Sequence, residues 1–195
     1  RVVAPRARTV KERREAAEAR RARRAAVTEP DAVMEAAAAF LAVRSRSVDE
    51  TRKRLVHLGY PAALVEQVVE RLVEIGYLDD GAFARAWVES RDRARPRGAV
   101  ALRRELQRKG VPDEVIAGVL ERRTATAVDS GGEQAPADAD RAAAFRLLER
   151  RASTLRRETD PRRRRQKAYA LLARNGFAPD VCHEAASTVA EDDPE

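Results

Sequence analysis

A chain of 195 residues with a net charge of +7, one cysteine and 44% apolar content drawn mainly from Ala, Val and Leu has room for one domain or several small units sharing a core, and its palette favours helices. Cys182 has no partner for an internal disulfide, which excludes a secreted disulfide scaffold. No apolar run approaches the ~18 to 20 residues of a membrane helix and no charge-then-apolar signal segment opens the sequence, so a cytoplasmic location with no membrane partner is expected.

Residues 1–28 hold ten Arg or Lys against Glu12, Glu15 and Glu18, a net of +7 that equals the charge of the whole chain. The rest is therefore neutral, and any basic face on it must be matched by an acidic one elsewhere. The stretch TVKERREAAEARRARRAAV combines strong helix formers with almost no large apolar residue, so a helix there would have no face to bury. A basic tail is expected, disordered or at most a lone solvated helix.

From residue 29 onward the sequence repeats. In LGYP, Gly59 can take the left-handed conformation that closes a helix, and Pro61 suits the start of the next. The same pattern recurs in LQRKGVPDEVI, with Gly110 and Pro112, and in LARNGFAPDVC, with Gly176 and Pro179. Aligned on glycine, Leu55, Leu106 and Leu172 precede it by four residues, Tyr60, Val111 and Phe177 follow it by one, and Leu64, Val115 and Val181 by five. Apolar residues on both sides of a helical corner are expected to be buried. Each corner has room for one more helix ahead of it: DAVMEAAAAFLAVR, DDGAFARAWVESRDR and DADRAAAFRLLERRASTLRR. Ser47 with Glu50 forms a capping box, Asp79 or Asp80 can cap the second unit, and Asp160 followed by Pro161 opens a helix in the third.

The fold class read from this pattern is all-α, with three tandem three-helix repeats over 29–76, 77–123 and 139–190 forming an elongated, curved array. Units of this size are too small for a robust core alone, and stacked repeats offer long surfaces suited to extended partners. The glycine spacings of 51 and 66 residues differ by 15. TATAVDSGGEQAPAD, residues 124–138, reads as the flexible linker that absorbs the difference, and 191–195 as an acidic tail.

Catalytic signals are lacking. His57 and His183 are isolated, Cys182 has no C-x-x-C partner, and neither a metal-ligand cluster nor a phosphate-binding glycine loop is present. Cys182 beside Val181 reads as a small core residue. No enzymatic activity and no cofactor are expected.

Charge clustering is the remaining signal. Arg91, Arg93, Arg95, Arg97, Arg103, Arg104, Arg108 and Lys109 face only Asp92 and Glu105 within 91–109. Residues 141–174 carry twelve basic groups against three acidic ones, densest at Arg162, Arg163, Arg164, Arg165 and Lys167. Four arginines in a row cover every side of a helical turn, so at least one must reach solvent. A charge run is ordinarily a solvated face, but acidic partners at i+4 are scarce here, which favours binding of a polyanion or an acidic surface. Glu66, Glu70 and Glu74, by contrast, read as solubility and internal charge balance.

GYLDDGAFARAWVESR followed by RGAVALRRELQRKGV resembles the signature of the RecX family, bacterial modulators of the RecA recombinase. The matching residues are the pair Asp79 and Asp80 ahead of a helix with Phe83, Ala84 and Trp87, then a basic segment leading to Glu105, Leu106, Lys109 and Gly110. The resemblance covers roughly residues 32 to 190 and is strongest in the middle unit. It implies binding along the groove of a RecA filament on single-stranded DNA, with inhibition of recombinase and ATPase activities. It assigns no role to residues 1–28 or 124–138. Phe83 and Trp87, one turn apart on a helix, are expected in the core rather than the binding site. A monomer is expected, with direct DNA contact through its basic faces and N-terminal tail. The competing readings are a DNA-binding module with helix-turn-helix-like units and a helical scaffold whose arginines serve solubility.

Overall fold

The three glycine corners share one hydrogen-bonding pattern. The computed structural model describes residues 9–128 and 138–191, and these are all-helical. At each corner the glycine N–H donates to a carbonyl three residues back, Gly59 to Val56 at 2.9 Å, Gly110 to Gln107 at 2.9 Å and Gly176 to Ala173 at 3.0 Å. The next N–H reaches five residues back, from Tyr60 to Leu55, Val111 to Leu106 and Phe177 to Leu172, at 3.2 to 3.4 Å. This is the Schellman closure, which needs a left-handed residue at the glycine. Gly59, Gly110 and Gly176 have φ of 101°, 72° and 79°.

The chain divides into two compact units, one ending at Asp79 and the other starting at Asp80. In the first, α1 (Val10–Ala25) precedes α2 (Pro30–Leu41), α3 (Val48–Leu58) and α4 (Ala62–Glu74). The expected Ser47–Glu50 box starts α3: Glu50 N–H donates to Ser47 Oγ at 3.0 Å and Ser47 N–H to Glu50 Oε2 at 3.4 Å. Val65, Val68, Val69 and Leu72 place one stripe of α4 against Val33, Ala37 and Leu55 to make the core.

The second unit holds two repeats, each with its own core. Helices α5 (Asp80–Ala94), α6 (Ala99–Arg108) and α7 (Asp113–Val128) bury Phe83, Ala84, Val88, Leu102, Leu106, Val111, Ile116 and Val119. Helices α8 (Asp138–Glu149), α9 (Ala152–Leu155), α10 (Pro161–Arg174) and α11 (Pro179–Glu191) enclose Leu147, Leu148, Leu155, Leu172, Phe177, Val181 and Cys182 with small alanines between them. The aligned leucines Leu55, Leu106 and Leu172 are all fully buried. Tyr60, Leu64 and Val115 are only half-buried.

The basic tail takes the helical one of its two expected forms, and two expectations about the connecting segments need correction. Residues 10–25 of the basic tail form α1, capped by Thr9, whose hydroxyl accepts from Glu12 N–H at 3.3 Å while Glu12 Oε2 accepts from Thr9 N–H at 2.7 Å. It buries no residue, but Arg24 donates to Leu58 O at 3.4 Å. Residues 124–128, assigned to the linker, continue α7, and Asp138, the last linker residue, opens α8, since Ala and Thr do not forbid helix. Glu191, assigned to the acidic tail, is the last residue of α11. Residues 1–8, 129–137 and 192–195 lie outside the described residues.

The repeats of the second unit meet at a polar junction around Arg123. Its guanidinium pairs with Asp92 at 2.8 and 2.9 Å and with Asp140 at 2.5 Å, and donates to Arg97 O at 3.3 Å. Its side chain is only 9% exposed. Burial works against the charge, yet hydrogen bonding and attraction from Asp92, then Asp140, outweigh it and raise the pKa. Asp140 also accepts from Ala99 N–H at 2.9 Å, so the third repeat caps a helix of the second.

Candidate polyanion-binding faces

The sequence-selected cations divide into those held by the fold and those presented to solvent. Trp87 organises the first group. Its Nε1–H donates to Glu105 Oε2 at 2.8 Å, and the same oxygen accepts from Arg91 Nε at 2.7 Å. Arg91 and Lys109 lie 4.5 and 4.7 Å from the centre of the indole ring, within cation–π range. Arg97 approaches Glu105 at 3.8 Å and donates to Asn175 Oδ1 at 2.5 Å. The motif residues Trp87, Glu105 and Lys109 thus form one network tying α5 to α6. Phe83 is buried as expected, whereas Trp87 is half-buried, with a polar edge.

Glu105 is the acidic centre of this network, its side chain 13% exposed. Burial alone would raise its pKa, but hydrogen bonds from Arg91 and Trp87 and the nearby Arg91 and Arg97 charges win and depress it below 4.5. A depressed carboxyl stabilises the fold above its unfolded pKa, and that contribution is lost as pH falls through the lower folded value. Glu105→Gln is therefore expected to cost about 1.5 to 3 kcal/mol at pH 7. The difference from the parent should shrink as pH falls below 4.5. Urea melts across that range test this, and a difference independent of pH would show that the charge on Glu105 contributes nothing.

The remaining cations of this stretch vary in exposure. Arg93, Arg95, Arg104 and Arg108 are exposed and Arg103 is half-buried. In the third repeat, Asp160 caps α10 by accepting from Arg162 N–H at 2.9 Å and Arg163 N–H at 3.4 Å. Arg162, Arg163 and Arg165 are exposed, with Arg163 3.6 Å from Asp160. Lys167 pairs with Glu158 at 2.5 Å. Arg164 departs from the expected set: it is 5% exposed and lines a cavity of about 320 Å³ with Phe145, Leu148, Leu155 and Val189. Its burial removes it from the presented face. These arginines lie at the end of α10 opposite its Gly176 corner, about 20 Å away for a helix of this length, so they form a patch separate from that junction.

Sequence reasoning did not single out Arg150 and Arg151, although both lie within the basic stretch 141–174. Arg150 reaches back to the end of α5, where its Nη1 and Nη2 donate to Ala94 O and Arg93 O at 2.6 and 2.5 Å. No sequence signal joins residues so far apart. The acidic stripe on α4 is partly balanced as expected, through Arg52–Glu66 at 2.8 Å and Arg71–Glu74 at 3.3 Å.

Cys182 is fully buried, and burial, then the Asp180 and Asp140 charges, push its thiol pKa up, the reverse of an activated nucleophile. Among the described residues no group of three or more His, Cys, Asp and Glu is placed to hold a metal, and no helix is long and apolar enough to cross a membrane.

Tandem three-helix units with matching glycine closures define an all-helical repeat protein. Family models for the first, second and third three-helix domains of RecX match residues 34–72, 79–120 and 138–185. The regulatory protein RecX of Mycobacterium sp. (strain JLS) is 38% identical over 149 residues, 73% of each chain, and that of Mycobacterium avium (strain 104) is 36% identical over 148 residues, 74% of this chain and 77% of the other. The chain belongs to the RecX family of regulatory proteins. Its fold is similar to the crystal structure of RecX from Lactobacillus salivarius, with a TM-score of 0.68, 17% identity, and coverage of 82% of this chain and 96% of that one. A second RecX crystal structure gives 0.67 at 20% identity, covering 92% and 79%.

Proposed function

We propose that this chain acts in the cytoplasm, without catalysis of its own, by binding the RecA filament assembled on single-stranded DNA and lowering its ATPase and recombinase activities. The observation that carries the reading, beside family membership, is the exposed set Arg162, Arg163 and Arg165, two of them in the first turn of α10 and the third at the start of its second. Positive charge there opposes the helix dipole; the structural return is one exposed pair, Arg163–Asp160 at 3.6 Å, of a kind that contributes little, and a local cost so weakly offset points to function. Exposed Arg104 and Arg108 on α6 supply a second basic face in the same unit.

A helix-turn-helix DNA reader fits less well. Such modules present the helix after the turn to the groove. Here those helices are α4, α7 and α11: α4 has one Arg against three Glu, α11 has no Arg or Lys, and α7 sets Arg122 and Arg123 against Asp113, Glu114 and Glu121, with Arg123 held at the repeat junction. The test is RecA-catalysed ATP hydrolysis on single-stranded DNA titrated with this protein. A dose-dependent fall is expected; an unchanged rate would remove the reading. Tight binding to one duplex sequence without RecA would favour the DNA reader instead.

A further inference from the structure

We propose that the cleft between the α5–α6 loop and the α8–α9 corner is a phosphate site for a single nucleic-acid strand. The cleft has a volume of about 490 Å³ and is lined by Arg95, Arg97, Arg150 and Arg151, with no carboxylate among its lining residues. That volume lies within the range of small-ligand sites. Four guanidinium groups converge on it from two repeats, and Pro96 and Leu147 add apolar wall.

Two of the arginines are oriented in advance. Arg150 is fixed by the Arg93 and Ala94 carbonyls and Arg97 by the Asn175 side-chain oxygen. These neutral acceptors orient the guanidinium groups without cancelling their charge. A guanidinium has five N–H donors, so two bonds to carbonyls leave Arg150 with donors to spare. The counter-charge closest to Arg97 is Glu105 at 3.8 Å, which Arg91 and Trp87 already engage more closely. Arg95 and Arg151 are exposed and act as movable arms.

The arrangement favours phosphate over carboxylate. A carboxylate has two oxygens in one plane and is satisfied by a single bidentate arginine. A phosphodiester offers oxygens in several directions to several donors, and its attached sugar can rest on the apolar wall. Arg150 and Arg151 lie outside the cations on which the RecA reading was built, whereas Arg95 and Arg97 belong to its basic stretch, so the site rests on that reading for two of its four arginines.

The test uses the full chain and a short fluorescent oligothymidylate, with binding followed by anisotropy over a range of salt. Arg95→Gln combined with Arg151→Gln removes the two exposed arms and leaves the two oriented arginines in place. On single strands each phosphate paired with a cation adds about 0.7 to the salt slope, which amounts to roughly fivefold in affinity at 0.1 M salt. The double variant is expected to bind about fivefold more weakly for each phosphate that no longer meets an arginine, with the slope reduced accordingly and thermal melting unchanged. Lys53→Gln with Arg71→Gln, an equal charge change on exposed residues of the first unit, should alter neither quantity. Absence of oligothymidylate binding by the parent, parental binding by the cleft variant, or an equal weakening in the Lys53 and Arg71 variant overturns the proposal. Intact oligothymidylate binding with a lost effect on RecA would assign the cleft to acidic protein surface and also overturn it. A parent that binds the oligonucleotide but leaves RecA unaffected would sink the RecA reading and spare this one.

Discussion

Gly98→Ala is expected to destabilise the second unit by about 3 kcal/mol, the upper part of the usual range for overpacking, and to lower its melting midpoint by roughly 10 °C. Gly98 has an ordinary extended backbone, φ −72° and ψ 161°, so conformational freedom is not what requires glycine. Proximity is: an added Cβ would overlap the carbonyl of Gly176 and the amide nitrogen of Phe177, backbone atoms that no rotamer change can move. Gly98 N–H also donates to Asn175 O at 3.1 Å, so relief of the overlap would pull α6 away from the α10–α11 corner and strain that bond. The matched comparison is Gly118→Ala in α7, where the added carbon would meet only the Arg122 guanidinium, at 3.6 Å or more. That change should stabilise by about 0.5 to 1 kcal/mol through helix propensity. Calorimetry of the two variants distinguishes a steric junction from a general intolerance of glycine replacement. Parent-like melting of Gly98→Ala would show that the two repeats are not held at this point.

The corners were legible because each is written locally. Gly59, Gly110 and Gly176 sit where a Schellman closure needs a left-handed residue, and all three adopt one. Ser47 and Asp160 cap the helices they precede. The α1 helix carried a local signal too, Thr9 three residues before Glu12, but its lack of apolar residues argued against order. The junction of the second and third repeats could not be read in this way. Gly98 precedes a helix without a side-chain cap of its own, and the missing acceptor is Asp140, supplied from α8. Arg123 looks like any surface arginine until Asp92 and Asp140 surround it. Charge runs predict how many cations exist, while burial of one member depends on neighbours far along the chain. Arg164 shows this most clearly, buried between two exposed arginines.

Replacing Arg162, Arg163 and Arg165 together with Gln, while keeping Arg164, is expected to weaken binding to RecA on single-stranded DNA by on the order of 100-fold at 0.1 M salt if each meets a phosphate, at roughly fivefold per arginine. The side chains proposed to bind are the ones that do least for the fold. All three are exposed, and the cap on α10 comes from Asp160 accepting main-chain N–H groups, which the substitution leaves intact. Removing positive charge from the first turn also relieves repulsion with the helix dipole, so thermal stability should stay level or rise slightly. Weaker binding alongside level or raised stability separates a functional cluster from a structural one, since a structural cluster would lose both. The salt slope then identifies the partner. A fall of about 0.7 for each arginine marks engagement of single-stranded phosphate, whereas weaker binding that is the same whatever the nucleic-acid component marks acidic RecA surface. Should the triple variant suppress RecA ATP hydrolysis as well as the parent does, these arginines only keep the helix solvated, and the basic face of α6 becomes the next surface to test.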